Sequence, residues 1–363
     1  MRVALDEQIF AIQAYGGISR LFADLAKQFI NEPGLDVELQ PLNAPIINRY
    51  VLDDEQVRAG LGVWEAGNAY TSLGRYFTRL QPRRGVDIIH NTFYLPHSLA
   101  STRGAKRIVS VYDMIPELMP ATRRRLDLLT LKRRYVDRAD HIICISEATR
   151  LDLLRVYPEV SAPISVVHLG VDPRFAPGAA PLAVLPDDYL LMVGNRSQYK
   201  DATTLFHAFA AVAHEFPEMS LVCIGGGPLT RNELDLLKHL GIASRVRQQD
   251  LPDEDMPAVY GNARAFVFPS RFEGFGLPVI EAMACGVPTI LANATSLPEI
   301  GADAARYFEV GNPDALATVL REVLGDGAVR DELRAMGVAR ARSFTWRRTA
   351  QETVAAYRSA LSA

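Results

Sequence analysis

An α/β protein of two doubly wound domains is what this sequence predicts, and three observations carry the prediction. Short apolar runs alternate with helix-patterned stretches from residue 86 to residue 170, the order that parallel strands joined by crossover helices require. A second series of the same kind begins at Tyr189. Between the two, residues 171–188 hold four prolines and no long apolar run, which reads as the connection between domains. The length, 363 residues, suits two domains of about 150–200 residues each.

Composition excludes several classes. Net charge is −3 and the halves differ mildly: residues 1–180 hold 22 Lys/Arg and 20 Asp/Glu, the remainder 17 and 22. That lacks the basic excess of a nucleic-acid binder. No apolar run is long enough for a membrane span, and the opening MRVALD lacks the apolar core of a secretion signal. Cys144, Cys223 and Cys285 sit in or beside apolar segments without metal-ligand spacing, as buried, reduced thiols do. A cytoplasmic location is expected, with peripheral contact at the inner face of the cell membrane left open.

In chain order, residues 2–5 make a short strand and residues 6–15 a longer loop. Gly16-Gly17 then opens a helix with Ile18, Leu21, Phe22, Leu25, Ala26 and Phe29 at helical spacing. Such a junction can bring backbone amides up to a phosphate or a hydroxyl, though paired glycines also open helices for steric reasons alone. Residues 31–80 show one alternating stretch, Val37-Glu38-Leu39, and no other clear period. Residues 86–90 form a strand ending in a polar cluster, His90, Asn91, Thr92, Tyr94 and His97, and the strand begun at Arg107 ends in Tyr112 and Asp113. Ligands gather at the carboxyl ends of parallel strands, so His90 and Asp113 are site candidates. A hydrogen-bonded core histidine and a helix-capping aspartate are the plainer readings. Residues 121–140, ATRRRLDLLTLKRRYVDRAD, form a basic helix, either an ordinary solvated face or a surface for anionic lipid headgroups or a lipid diphosphate. Residues 141–146 are a strand, Ser146 and Glu147 cap a helix over 148–156, and residues 164–170 close the first half.

In the second half, residues 189–194 form a strand with Asn195-Arg196-Ser197-Gln198-Tyr199-Lys200 at its carboxyl end, and Asp201 caps a helix over 202–215. Arg196 and Lys200 are two cations in one short loop, placed to neutralise a diphosphate, the more so as it gains charge on leaving. The strand at residues 221–224 exits through Gly225, Gly226 and Gly227. The G-x-G-x-x-G frame fails, because Thr230 stands where its third glycine belongs, so the triplet reads as an exit that lets a ligand come close. Residues 246–251 are a strand, and a helix over 253–262 can flank a nucleobase pocket. Next comes AFVFPSRFEGFGLPVIEAMACGVP, residues 265–288: an apolar strand, a glycine loop, and a helix with Pro278 in its first turn and Gly286 at its stop. Backbone N–H groups at a helix start suit an anion such as phosphate. Glu273 and Glu281 bracket that position and are repelled by phosphate, so they fit hydroxyls on either side of it. The combination reads as a sugar-nucleotide site. A strand over 289–292, Ser296-Leu297-Pro298-Glu299-Ile300, a helix from Pro313, and a final amphipathic helix after Phe344-Thr345-Trp346 complete the chain.

With these residues assembled, the chain resembles the family 4 glycosyltransferases, retaining enzymes of the GT-B fold. The likeness spans essentially the whole length. It rests on YLLMVGNRSQYKD, VFPSRFEGFGLPVIEAMACGVP, SLPEI and FTW in the second half, and on YGGISR and ICISEATR in the first. The resemblance implies two Rossmann-like domains facing an interdomain cleft: an acceptor-side domain over 1–178 and a donor-binding domain over 179–346, with a helix near 347–363 packing back on the first. It implies that Glu273 holds sugar hydroxyls and Glu281 ribose hydroxyls, and that Phe275, Gly276 and Leu277 present amides to sugar and phosphate. Arg196 and Lys200 then face the diphosphate, and Gly16 and Gly17 close over the donor from the other domain. Many members carry His-Asp where this chain has Tyr112-Asp113, which leaves open whether any first-domain side chain acts as a base. His90 and Tyr112 are kept as acceptor or sugar contacts. A subset with this GNRxxYK loop is often assigned to mannosyl transfer in polysaccharide assembly.

The expected reaction moves a hexosyl unit, best guessed as mannosyl from GDP-mannose, to a glycan or lipid-linked oligosaccharide. Positioning and charge stabilisation supply the catalysis, with the departing phosphate oxygen taking the acceptor proton on the same face. On this reading Arg196→Ala costs ~10²-fold or more in turnover. No Asp-x-Asp motif stands at a strand end, so no metal and no other cofactor is expected. The alternatives are a UDP-, ADP- or dTDP-linked donor, a sugar-nucleotide epimerase on the same architecture, and a non-catalytic sugar-nucleotide-binding module. Isomerised donor without acceptor marks the epimerase; binding without transfer marks the module.

Overall fold

The computed structural model describes residues 1–67, 85–95, 104–119 and 128–363. The chain divides into two compact units, Met1–Gly170 with Trp346–Ala363, and Val171–Thr345. The stretch read as a free connection begins within the second unit: the Val171 N–H donates to Phe344 O (3.1 Å), Arg174 pairs with Asp253, and Phe175 is buried against the Tyr260 ring.

In the first unit, β1 (Arg2–Leu5), β2 (Glu38–Leu39) and a small separate pair, β3 (Pro45–Ile46) with β4 (Trp64–Glu65), precede β5 (Ile88–Asn91), β6 (Lys106–Val111), β7 (His141–Cys144) and β8 (Ile164–Val166). The main sheet runs β2-β1-β5-β6-β7-β8, and every pairing is parallel. In the second unit, β9 (Tyr189–Val193), β10 (Ser220–Ile224), β11 (Val246–Gln249), β12 (Ala265–Phe268), β13 (Thr289–Ala292) and β14 (Ala305–Phe308) form a second parallel sheet in the order β11-β10-β9-β12-β13-β14. The central strands β12 and β13 are buried at every position, which is why their sequences are continuous apolar runs rather than alternating ones. The chain leaves β9 toward β10 and β11, then crosses to the other side of β9 to lay down β12. Strand order therefore reverses between β9 and β12, and the crevice at such a reversal is where ligands of open α/β sheets bind.

The last helix, Trp346–Ser362, packs within the first unit: Thr349 Oγ1 donates to His168 O (2.8 Å), and the Tyr357 ring lies 6.1 Å from that of Phe29. Four helices differ from expectation. The loop over residues 6–15 contains a short buried helix, Gln8–Ile12. Helices Arg49–Leu52 and Glu55–Leu61, capped by the side chains of Asn48 and Asp54, occupy a stretch without readable period. Helix Gly327–Ala341 also escaped notice, because Leu333, Gly337 and Ala341 are its buried residues and two small ones hide the periodicity.

Candidate functional site

Two loops meet at the reversal in the second unit. The one after β9 starts at Gly194, whose N–H donates to Ile224 O (2.9 Å), and ends in a single 3₁₀ turn, Gln198–Lys200. Asp201 then stands in the left-handed region (φ 52°) ahead of helix Ala202–Val212, its carboxylate accepting from Thr204 Oγ1 (2.8 Å) and Arg271 Nε (2.9 Å). With the Arg271 N–H donating to Tyr199 O (2.7 Å), this fastens the β9 loop to the β12 loop. Lys200 Nζ lies 2.6 Å from Glu273 Oε1, with side chains 15% and 10% exposed. Its ammonium also stands 5.2 Å from the Phe268 ring centroid, a favourable seat for a cation.

The glycine loop is braced from below. The Glu273 N–H donates to Thr295 Oγ1 (2.9 Å), and Ser296 Oγ lies 3.0 and 2.9 Å from the carbonyls of Glu273 and Phe275. Thr295 and Ser296 went unassigned from sequence, although Ser296 begins the SLPEI segment. Gly276 is required by its backbone: φ is 105°, and a Cβ there would fall 3.2 Å from Leu297 Cδ2. The Phe275 side chain is core, edge-on to Phe344 at 6.0 Å, so only its backbone is suited to a ligand. Helix Leu277–Ala284 follows, with no N–H from Pro278 and that of Val279 taken by Gly276 O (2.9 Å). One turn on, Glu281 accepts from Tyr260 Oη (2.9 Å), whose ring is buried.

Arg196 departs from expectation. Its side chain is 3% exposed and turned away from Lys200: Nε donates to Glu233 (2.8 Å), Nη1 to Gly225 O (2.8 Å), and Nη2 to Gly227 O (2.7 Å) and Pro228 O (3.1 Å). The glycine triplet gives two of its carbonyls to Arg196. All three residues have positive φ, and a Cβ on Gly226 would fall 2.9 Å from Asn195 Cα. Burial works against ionisation of Glu233, but the Thr230 N–H, the Thr230 hydroxyl and Arg196 hold its carboxyl below the ordinary range. The Thr230–Glu233 capping box was legible in sequence; its second duty was not.

In the first unit, Gly16 precedes helix Gly17–Asn31. A Cβ at Gly16 would fall 2.3 Å from Gln13 Cδ, the end of a side chain whose Oε1 accepts from the Ser19 N–H (3.0 Å), so Gly16 packs against this cap. His90 is a core residue. Tyr357 Oη stands 2.7 Å from Nδ1 and Ser110 Oγ 2.8 Å from Nε2, leaving neither ring nitrogen for an acceptor. Tyr112 is buried too, its hydroxyl donating to Thr92 O (2.8 Å). Asp113 remains partly exposed and accepts from the Ile115 N–H (2.9 Å) just ahead of helix Ile115–Leu118, whose N-cap residue is Met114. Of the basic segment 121–140, residues 121–127 lie outside the described residues, as does His97. In the described part, Lys132 is buried against Glu117 (2.9 Å) and Arg133 pairs with Asp137 (2.6 Å) and with Glu159, so two of its cations are held by carboxylates. Among the described residues no helix is long and apolar enough to cross a membrane. Cys144, Cys223 and Cys285 are buried and unbridged, and burial pushes each thiol up to about 12.

Burial takes His90 down to about 3 from an ordinary 6.5. The unfolded ring binds protons more readily than the folded one. Its contribution is therefore complete above about 6.5 and is lost as pH falls from there toward about 3. Amide exchange in helix Trp346–Ser362, corrected for intrinsic rate, is expected to accelerate between pH 7 and pH 5 in the native chain and much less in His90→Gln. Equal pH dependence in both would contradict this.

Two doubly wound parallel-sheet units, with braced loops at the reversal of the second, are the architecture of the GT-B glycosyltransferases. The model for glycosyl transferases group 1 matches residues 180–343, and that for glycosyltransferase family 4 matches residues 15–175. The O-antigen chain mannosyltransferase B of Escherichia coli is 30% identical over 300 residues, covering 77% of this chain and 78% of that protein. A D-inositol 3-phosphate glycosyltransferase of Corynebacterium urealyticum is 28% identical over 330 residues, covering 80% and 75%. Among solved structures, the sucrose-phosphate synthase of Thermosynechococcus elongatus superposes with a TM-score of 0.73 over 99% of this chain and 98% of that one, at 20% identity, a likeness of fold. The chain belongs to the family 4 glycosyltransferases, and it is a glycosyltransferase of the GT-B type.

Proposed function

We propose that the chain is a retaining hexosyltransferase that moves a mannosyl unit from GDP-mannose to a glycan or lipid-linked glycan in surface polysaccharide synthesis. The observation that carries the reading is the Lys200–Glu273 pair across the β9–β12 reversal, with Glu281 one helical turn beyond the glycine loop. When a donor arrives, its phosphate oxygens take over Lys200 and its sugar hydroxyls take over Glu273. The pair thus exchanges one set of charge-assisted bonds for two. Mannose is supported by the mannosyltransferase relative.

Melting temperature measured with GDP-, UDP-, ADP- and dTDP-sugars tests the donor: GDP-mannose is expected to give the largest rise, since only a ligand of the folded state stabilises it. A larger rise with another nucleotide sugar would replace the donor, and no rise with any would overturn the site. The product anomer, read by NMR, is expected to keep the donor's configuration. Transfer is expected to proceed without a divalent ion, because Lys200 supplies positive charge at the diphosphate. Loss of activity in EDTA with recovery on adding a divalent ion would contradict this.

A further inference from the structure

We infer that Arg196 and Glu233 form a strut that positions the loop bearing Lys200, and that Arg196 makes no contact with the donor. The inference rests on the proposed reading of Lys200 as the donor's cation. Sheet order supports it first. β10 and β12 flank β9 on opposite sides, and the two cations of the β9 loop diverge accordingly, Lys200 to the β12 loop and Arg196 to the β10 loop.

Hydrogen bonding supports it second. A guanidinium has five N–H donors. Here Nε, Nη1 and Nη2 make four bonds, one to a carboxylate and three to backbone carbonyls of Gly225, Gly227 and Pro228. Those carbonyls are fixed by a loop of three consecutive positive-φ glycines, with Gly226 pressed against Asn195. Four of the five donors are thus engaged by protein groups, at a side chain that is 3% exposed. Glu233 is itself held at the third position of helix Arg231–His239 by a capping box, so the strut has a rigid anchor. The strut connects Asn195-Arg196 to that anchor, and the 3₁₀ turn carrying Lys200 follows two residues later. Glu233 thus becomes a positioning residue that acts through Lys200.

Calorimetric binding of whichever of GDP, UDP, ADP and dTDP binds tightest, together with its monophosphate, provides the test. Glu233→Gln keeps the capping box, since Gln serves at that position, and is expected to weaken the diphosphate ~5-fold. In a Lys200→Ala background the same change is expected to cost less than ~2-fold, because residues acting through one another are not additive. Arg196→Lys, which keeps the charge but loses the fork, is expected to bind the diphosphate as poorly as Arg196→Met, with the monophosphate less affected because the strut acts through Lys200. Melting temperatures of all variants identify any that fail to fold, and Glu233→Gln serves if the Arg196 variants do. If Lys200→Ala weakens the diphosphate but the Glu233 effect persists undiminished beside it, the strut is overturned and the donor reading stands. Rescue by Arg196→Lys of the loss seen in Arg196→Met would make Arg196 a phosphate ligand and overturn the strut. If Lys200→Ala leaves diphosphate affinity unchanged, or none of the four nucleotides binds, the donor reading falls and the inference with it.

Discussion

Replacing Lys200 by methionine is expected to lower transfer at saturating donor by ~10²-fold or more, the scale of one lost charge-stabilising donor. The ammonium is 15% exposed, lies on the Phe268 ring and touches Glu273 at 2.6 Å, so it acts in a setting where water screens it weakly. A diphosphate that gains negative charge as its bond to the sugar breaks draws more from such a cation in the transition state than in the ground state, which places the loss in kcat. Arg196 cannot take over, since its guanidinium is committed to Glu233 and three carbonyls. Methionine keeps the apolar stem on Phe268, and a melting curve separates loss of chemistry from loss of fold. An undiminished kcat with saturating donor would remove Lys200 from the reaction.

Glu273→Gln is expected to separate binding from transfer. Glu273 is 8% exposed and its backbone is held independently of its carboxylate, by Thr295 Oγ1 on the N–H and Ser296 Oγ on the carbonyl, so the loop keeps its course in the variant. Lys200 then loses its carboxylate partner and becomes the readier ligand for phosphate. The nucleoside diphosphate should bind as in the native chain or more tightly, while transfer of the sugar, which needs its hydroxyls oriented, should fall ~10²-fold. The lost ion pair also costs some stability, which a melting curve reads. A tenfold rise in diphosphate Kd would show that Glu273 supports the phosphate side after all.

Much of this was readable in the linear chain, for reasons that are local. Strands buried on both faces must be unbroken apolar runs, so β9, β12 and β13 announced themselves within a residue of their ends. Pro278 and Gly276 marked the helix start after the glycine loop because their backbone preferences need no partner elsewhere. Helix Gly327–Ala341 was missed because it packs through small residues, such as Gly337 against Met283, that carry no hydrophobic signal.

The roles of individual polar residues were another matter. Arg196 and Lys200 are the same kind of residue in the same loop, and no rule of spacing tells them apart. They part company because the sheet sets β10 on one side of β9 and β12 on the other, a pairing between segments tens of residues apart. His90 ends a parallel strand as a ligand would, yet a helix more than 250 residues later brings Tyr357 to its ring and closes it into the core. Periodicity, turn chemistry and motif order thus established the α/β architecture and pointed to one site, with Glu273 and Glu281 beside the cations Arg196 and Lys200. Which charges face that site and which brace it depended on long-range pairing, because a buried polar group takes its meaning from the partner that satisfies it.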